Sequence, residues 1–483
     1  MERDAMNWIA GEWAGKPVLA SSDPSNGETL GRFVSSNTQD ADAAVAAARH
    51  TFDHTTWAQD ARRRQDVLLR WAQALELSVE PLAELLTREN GKTIGQARGE
   101  MRAAISEVRY YAGLARHIAG HVIEPEPGTI STMLREAAGV AAIIVPWNAP
   151  AVLLVRSLAP ALAAGCTAIV KPAAQTSLIT AAMIRCLDQP ALPAGAVNLL
   201  LENGAEAAAR LVESADVDVI SFTGSTEVGK RIMRAAADSM KRLSLELGGK
   251  SCCLVFEDSD VKAIAPRLAR AATIISGQQC TAARRILVHV SKADQMRDEL
   301  VKALASLKVG PGIDPASDIG ALIDVASRDA VQTTVERACD LADRVLLRGT
   351  SSGPGAFLSP TLVEHGEPHA FFCQDEIFGP FVTLETFETE KEAVEKANNT
   401  VFGLSASVWT HDSARAFRIA RALRDGTVWI NDHNRLFAEA ETGGYRQSGL
   451  GRLHGYDALA DFTEIKHICV GAGVLEGIEV LGS

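Results

Sequence analysis

From Gly139 to Met240 the chain repeats one pattern, a short apolar run followed by a helical stretch. Val140–Val145, Thr167–Val170, Val197–Leu201 and Val217–Phe222 read as strands, and Ala151–Ala164, Ser177–Leu187, Ala205–Glu213 and Thr226–Met240 as helices. Strands this apolar cannot leave one face in water. With a helix between each pair, they specify βαβ units around a parallel sheet covered on both sides. A second alternating region starts near Ser251 and runs through Ile286–Val290, Thr383–Phe387 and Val428–Ile430. The pattern predicts an α/β protein with two Rossmann-like parallel-sheet domains that meet near Gly248-Gly249. Gly349–Gly355 is expected to be a surface loop.

Ala137–Val155 is apolar over nearly the ~20 residues that cross a bilayer, but Pro146 and Pro150 interrupt it. It is expected to be a buried strand, a turn and a buried helix, and no membrane partner is expected. The 483 residues suffice for about three domains. A net charge of −12, with Arg62-Arg63-Arg64 as the longest basic run, argues against nucleic acid. The eight cysteines include no CxxC pair, so neither a zinc site nor another metal site is expected. Met1–Asn7 lacks the apolar run of a secretory signal, and a reducing cytoplasm is the expected compartment.

No GxGxxG follows the first strand. Phe222-Thr223-Gly224-Ser225-Thr226 instead closes a strand and opens a helix. Gly224 allows the tight turn, while Ser225 and the free N–H groups of the helix start suit a pyrophosphate. The same stretch matches most of a P-loop, Gly224 to Gly229-Lys230. Arg231 then stands where a magnesium-binding Ser or Thr is needed, so a nucleotide triphosphatase is rejected.

Four further segments carry chemistry: Gly277-Gln278-Gln279-Cys280, Pro146-Trp147-Asn148, Glu246-Leu247-Gly248-Gly249-Lys250 and Glu376-Ile377-Phe378-Gly379-Pro380. They supply a thiol nucleophile, an amide donor, a carboxylate base and an aromatic-plus-carboxylate clamp. Cys280 lies 34 residues after Glu246. In this combination and spacing the chain resembles the aldehyde dehydrogenase superfamily over most of its length.

The resemblance implies NAD(P)-dependent oxidation of an aldehyde to an acid through a thioester on Cys280. Asn148 and the Cys280 backbone N–H would hold the oxyanion. Glu246, set among Leu243, Leu245 and Leu247, would be a base of raised pKa that activates water; members that pass the acyl group to coenzyme A lack it. Lys171 would contact the adenosine ribose, Glu376 and Phe378 would hold the nicotinamide ribose and ring, and Trp147 and Leu247 would border the cofactor. Ala174 stands where a ribose-binding glutamate is common, which leaves NAD and NADP both open.

Ala149, Arg156, Asn434, Leu436 and Thr442 would line the substrate tunnel. Ala149 replaces a frequent aromatic residue, and Arg156 either recognises a carboxylate or forms a salt bridge at a subunit contact. A bulky, aromatic or carboxylated aldehyde follows as the expected substrate. The resemblance also implies a homodimer or homotetramer. Residues 1–116 and 138–247 would form the cofactor-binding domain and 248–445 the catalytic domain. Residues 117–137 and 446–483 would form a small β oligomerisation element, built from about His117–Arg135 and the segment after Lys466.

Overall fold

The computed structural model describes residues 4–471. Helix α1 (Ile94–Leu114) flanks the first sheet and is fixed at its start by Thr93, whose hydroxyl accepts the Gln96 N–H in a reciprocal cap. The apolar run 140–145 is strand β1 (Val140–Val145), followed by α2 (Pro150–Ala164), which has Pro150 in its first turn and ends at left-handed Gly165. Next come β2 (Thr167–Pro172), β3 (Val219–Thr223), α3 (Thr226–Ala236) and β4 (Arg242–Glu246).

The first sheet has eight strands, in the order Glu12–Ala14, Asn7–Ile9, Val197–Leu199, β2, β1, β3, β4, Gly449–Leu450. The strands from 197–199 across to β4 are parallel. The chain winds outward from β1 through β2, then returns to β3 on the other side. The crevice at the C-terminal ends of β1 and β3 is therefore the point where a sheet of this kind holds ligands. Thr223 pairs with Glu246, so Gly224 and Leu247 leave neighbouring strands side by side at that crevice.

The second sheet begins with β5 (Cys252–Val255), crosses over through α4 (Val261–Thr273) to β6 (Arg285–His289), and later adds β7 (Phe381–Phe387). Its order is Arg344–Leu347, Thr361–Glu364, β7, β6, β5, Ser405–Trp409, Thr427–Ile430, all parallel except the first. Arg285 on β6 and Glu385 on β7 are buried and form two hydrogen bonds of 2.7 Å each. A third, antiparallel sheet joins His121–Glu126, Thr129–Ala137 and Thr463–Val470.

Three readings change. Gly449-Leu450, assigned by sequence to the C-terminal β element, adds to the first sheet beside β4, because Gly449 can lie against the Leu245 carbonyl where a side chain cannot. Part of the loop 349–355 is a hairpin, with Ser351-Ser352 paired to Phe357-Leu358 around left-handed Gly353. The helix read as reaching Met240 ends at Ala236, since Met240 turns left-handed after one 3₁₀ turn. The C-terminal part of the predicted oligomerisation element beyond residue 471 lies outside the described residues.

Removing one member of the buried Arg285–Glu385 pair leaves an uncompensated charge between two core strands. Glu385→Ala is expected to cost about 3–5 kcal/mol in a denaturant unfolding experiment, and Arg285→Met with Glu385→Leu together should recover much of that loss.

Candidate active site

Cys280 sits on a loop whose backbone is bent against its own preferences. Ile275 (φ 48°), Ser276 (φ 56°) and Gly277 (φ 76°) are consecutive left-handed residues after α4. For a β-branched residue such as Ile275 this conformation is strained, and only dense surrounding bonds hold it. The Ser276 hydroxyl donates to Gly320 O at 2.9 Å. Gln278 Oε1 accepts the Ile323 N–H at 3.0 Å. Fully buried Arg284 donates to the carbonyls of Gly277, Gln279 and Gly379. From behind, His433 Nε2 bonds the Thr281 carbonyl at 2.8 Å, and burial pushes its pKa down to about 4, so the ring is a neutral donor there.

Asn148 reaches this loop from the turn after β1. Its Nδ2 donates to Gln278 O at 3.0 Å, which leaves the second N–H of the amide free to face an oxyanion. The turn itself is anchored by Lys92, which donates to Asn148 O at 2.8 Å and pairs with Glu100. Glu100 in turn accepts the Ala151 N–H at 2.8 Å at the start of α2. Neither Lys92 nor Glu100 was singled out from the sequence.

Cys280, Glu246, Asn148 and Leu247 line one cavity of about 630 Å³, together with the predicted tunnel residues Ala149, Arg156, Asn434, Leu436 and Thr442. Burial, then the Glu376 and Glu246 charges, push the Cys280 thiol up to about 12, with Arg156 opposing. No cationic cradle makes a resting thiolate, so the thiol needs a base. Burial raises Glu246 to about 8, against Arg156 and Arg452, and its Oε1 is buried without a hydrogen-bond partner. A carboxylate poised near neutrality beside a protonated thiol can take its proton and later that of a water.

Arg156 does form an ion pair, but inside the cavity rather than on the surface. Its Nε lies 3.8 Å from Glu107 Oε1, and His454 Nδ1 sits against the same oxygen. Glu107 and His454 were missed by sequence reading.

The cofactor residues form a cradle cleared of side chains. A Cβ on Gly224 would stand 2.5 Å from the Phe222 ring, one on Gly229 2.5 Å from Leu247, and one on Gly248 2.7 Å from Glu376 Oε2. Ser225 caps α3, accepting the Val228 N–H at 3.3 Å, which leaves its own O–H as a donor. Glu376 Oε1 is buried and has no hydrogen-bond partner, which leaves it free to accept from hydroxyl groups. Phe378 packs edge-on to Trp147, with ring centroids 5.5 Å apart. These residues fit a nicotinamide dinucleotide.

Trp147, Lys171 and Ala174 line a second cavity of about 590 Å³. There Glu202, also missed from sequence, approaches Lys171 Nζ at 3.4 Å and caps the helix at Ala207 with a 2.7 Å bond. A carboxylate is thus present near Lys171, although not at position 174.

Two doubly wound sheets closing on a cavity-lining thiol, a carboxylate and a dinucleotide cradle define a nicotinamide-dependent oxidoreductase that works through cysteine. The profile of the aldehyde dehydrogenase family matches residues 8–468. The chain is 37% identical over 471 residues to the betaine aldehyde dehydrogenase of Bacillus subtilis, covering 95% of this chain and 96% of that one. It is 35% identical over 470 residues to the NADP/NAD-dependent aldehyde dehydrogenase PuuC of Escherichia coli, covering 96% and 95%. Among solved structures, betaine aldehyde dehydrogenase from Staphylococcus aureus in complex with NAD+ superposes with a TM-score of 0.93 at 32% identity, covering 99% of this chain and 97% of the other. The chain belongs to the aldehyde dehydrogenase family. It is an aldehyde-oxidising enzyme that uses NAD or NADP.

Glu246 can act as a base only when ionised, and its pKa lies near 8. Below that value the single-turnover deacylation rate should rise roughly tenfold per pH unit, and it should level off above it. Glu246→Gln should flatten the profile at a low rate, which stopped-flow measurement of acid release would show.

Proposed function

We propose that the chain oxidises a bulky aldehyde to a carboxylic acid, with Cys280 as nucleophile, Glu246 as base and Asn148 as oxyanion donor. The observation that carries this reading is the shared cavity in which the protonated Cys280 thiol meets a Glu246 carboxyl raised to about 8.

Glu246 removes the thiol proton, and the sulfur attacks the aldehyde carbon. The C–S bond forms, and the carbonyl oxygen becomes an alkoxide that faces the free Asn148 N–H and the Cys280 backbone N–H. The acceptor for the hydride that leaves this carbon is what NAD or NADP contributes. The thiohemiacetal on Cys280 then becomes a thioester. Glu246 gives that first proton up to solvent and then takes one from water, the hydroxide adds to the thioester carbon, and the C–S bond breaks to release the acid and a thiolate that takes the proton back from Glu246. A base in this position favours hydrolysis over transfer to coenzyme A.

Glu376 and Phe378 would hold the nicotinamide end, Gly224 and Ser225 the pyrophosphate, and Lys171 with Trp147 the adenosine end, with Leu247 bordering the ring. Ala174 leaves room at the ribose, so both cofactors should serve. Ala149 widens the cavity toward a bulky or aromatic substrate body. The third sheet exposes Val122, Ile130, Leu134, Ile468 and Val470 on one face, an apolar surface suited to a second copy in a homodimer or homotetramer.

Cys280→Ala should abolish NADH or NADPH formation with every aldehyde. Asn148→Ala should lower kcat by about 10²–10³-fold, the usual loss for one oxyanion donor. Ala149→Phe should raise KM for bulky aldehydes more than for acetaldehyde. Steady-state kinetics with each cofactor would check all three, and unchanged turnover in Cys280→Ala would sink the assignment.

A further inference from the structure

Deep in the cavity, the Arg156 guanidinium makes no hydrogen bond among the described residues. Its Nε is buried and without a hydrogen-bond partner, 3.8 Å from Glu107 Oε1. Glu107 and His454 are 2% and 1% exposed, and His454 Nδ1 abuts the oxygen that Arg156 faces. A carboxylate on that side fixes the Nδ1–H tautomer of a neutral imidazole, so Nε2 carries the lone pair. That Nε2 is buried and has no partner. His454 holds this position at φ 60°, a left-handed conformation that a bulky residue adopts only when its surroundings impose it. Ala149, Val152, Leu153, Leu436 and Leu453 line the same cavity, along with acidic Glu100 and Glu439.

Three buried polar side chains are thus tied to one another and incompletely satisfied. They leave the Arg156 donors and two acceptors, His454 Nε2 and Glu107 Oε2, without hydrogen-bond partners in the same corner of the cavity. Buried groups of this kind cost stability unless something completes them.

The charges select what that is. Arg156 and Glu107 cancel, and burial, then the Arg156 charge, pushes the pKa of His454 down. The other charged groups that face the cluster are acidic: Glu246, which interacts with Arg156, and Glu439 and Glu441, which interact with His454. A carboxylate would meet a lone pair and several acids with its only cation already paired. A hydroxyl group meets both needs, since its oxygen accepts from the guanidinium and its proton goes to His454 Nε2.

We infer that Arg156 and His454 together bind a hydroxyl group of the substrate, so that the enzyme selects aldehydes carrying one on an apolar, ring-sized body. This rests on the cavity being the aldehyde site of the reaction above. It assigns Arg156 a hydroxyl rather than a carboxylate. Glu107 is the positioning residue that orients both partners.

The test compares kcat/KM of the full-length enzyme for benzaldehyde, its three monohydroxy isomers, the matching methoxy ethers and the carboxybenzaldehydes. At least one hydroxy isomer should exceed both benzaldehyde and its own methoxy ether by about tenfold or more, because an ether accepts but cannot donate. Arg156→Met and His454→Asn should each shrink that ratio, chiefly through KM; asparagine is chosen because it tolerates the left-handed backbone. Turnover of the panel without a hydroxyl preference overturns the inference but leaves the reaction standing. So does a preference that survives both substitutions, or a carboxybenzaldehyde as best substrate. Silence across the whole panel, with acetaldehyde also inert, overturns the proposed reaction itself.

Discussion

The site depends on two missing side chains. Strand β4 ends at Glu246, and the chain then passes into the second sheet through Gly248 and Gly249. A Cβ on Gly249 would lie 2.8 Å from the Cys280 carbonyl, and one on Gly248 would overlap Glu376. This bare crossing lets the base, the thiol and the cofactor clamp converge although they belong to different elements. It also accounts for how Glu246 and Cys280, 34 residues apart, come together. The intervening residues are β5, α4 and the left-handed turn, one crossover that returns the chain to its own starting point.

Around that crossing, charge is spent mostly on backbone. Arg284 holds three carbonyls, Lys92 holds Asn148 O, and Lys250, its pKa pushed down to about 7 by burial, donates to Asp375 O at 2.6 Å. Each of these groups pins, through its backbone, a loop that carries a working residue, and Arg284 also interacts with the Cys280 thiol. Arg156 is the exception, lying in the cavity itself and opposing both shifts there.

The sheets were legible because continuous apolar runs and intervening helices are local signals, and the strands appear within a few residues of where those runs lie. Cys280, Glu246 and Asn148 were legible because each sits in a short segment whose neighbours are themselves required: glycines for clearance, proline for the turn. Lys92, Glu100, Glu107, Glu202 and His454 carried no such mark. Their partners lie far away in sequence or across an element, and an isolated charged residue on a helix reads as a solvated face. The left-handed Ile275-Ser276 pair ran against local preference altogether, since no propensity places a β-branched residue there. Gly449 was misplaced for a related reason: its role is to be absent beside another strand's carbonyl, and nothing in its neighbours says which strand.

A thiol held near 12 has a consequence beyond catalysis. Peroxide and electrophilic toxins attack thiolates, and reactivity toward them follows the ionised fraction and its exposure. An enzyme with a permanently ionised nucleophile would be inactivated by the oxidants and alkylating agents of its surroundings between turnovers. Here the raised pKa keeps the sulfur protonated at rest, and it becomes nucleophilic when its proton is taken inside the cavity. The arrangement that delays the chemistry also preserves the residue that performs it.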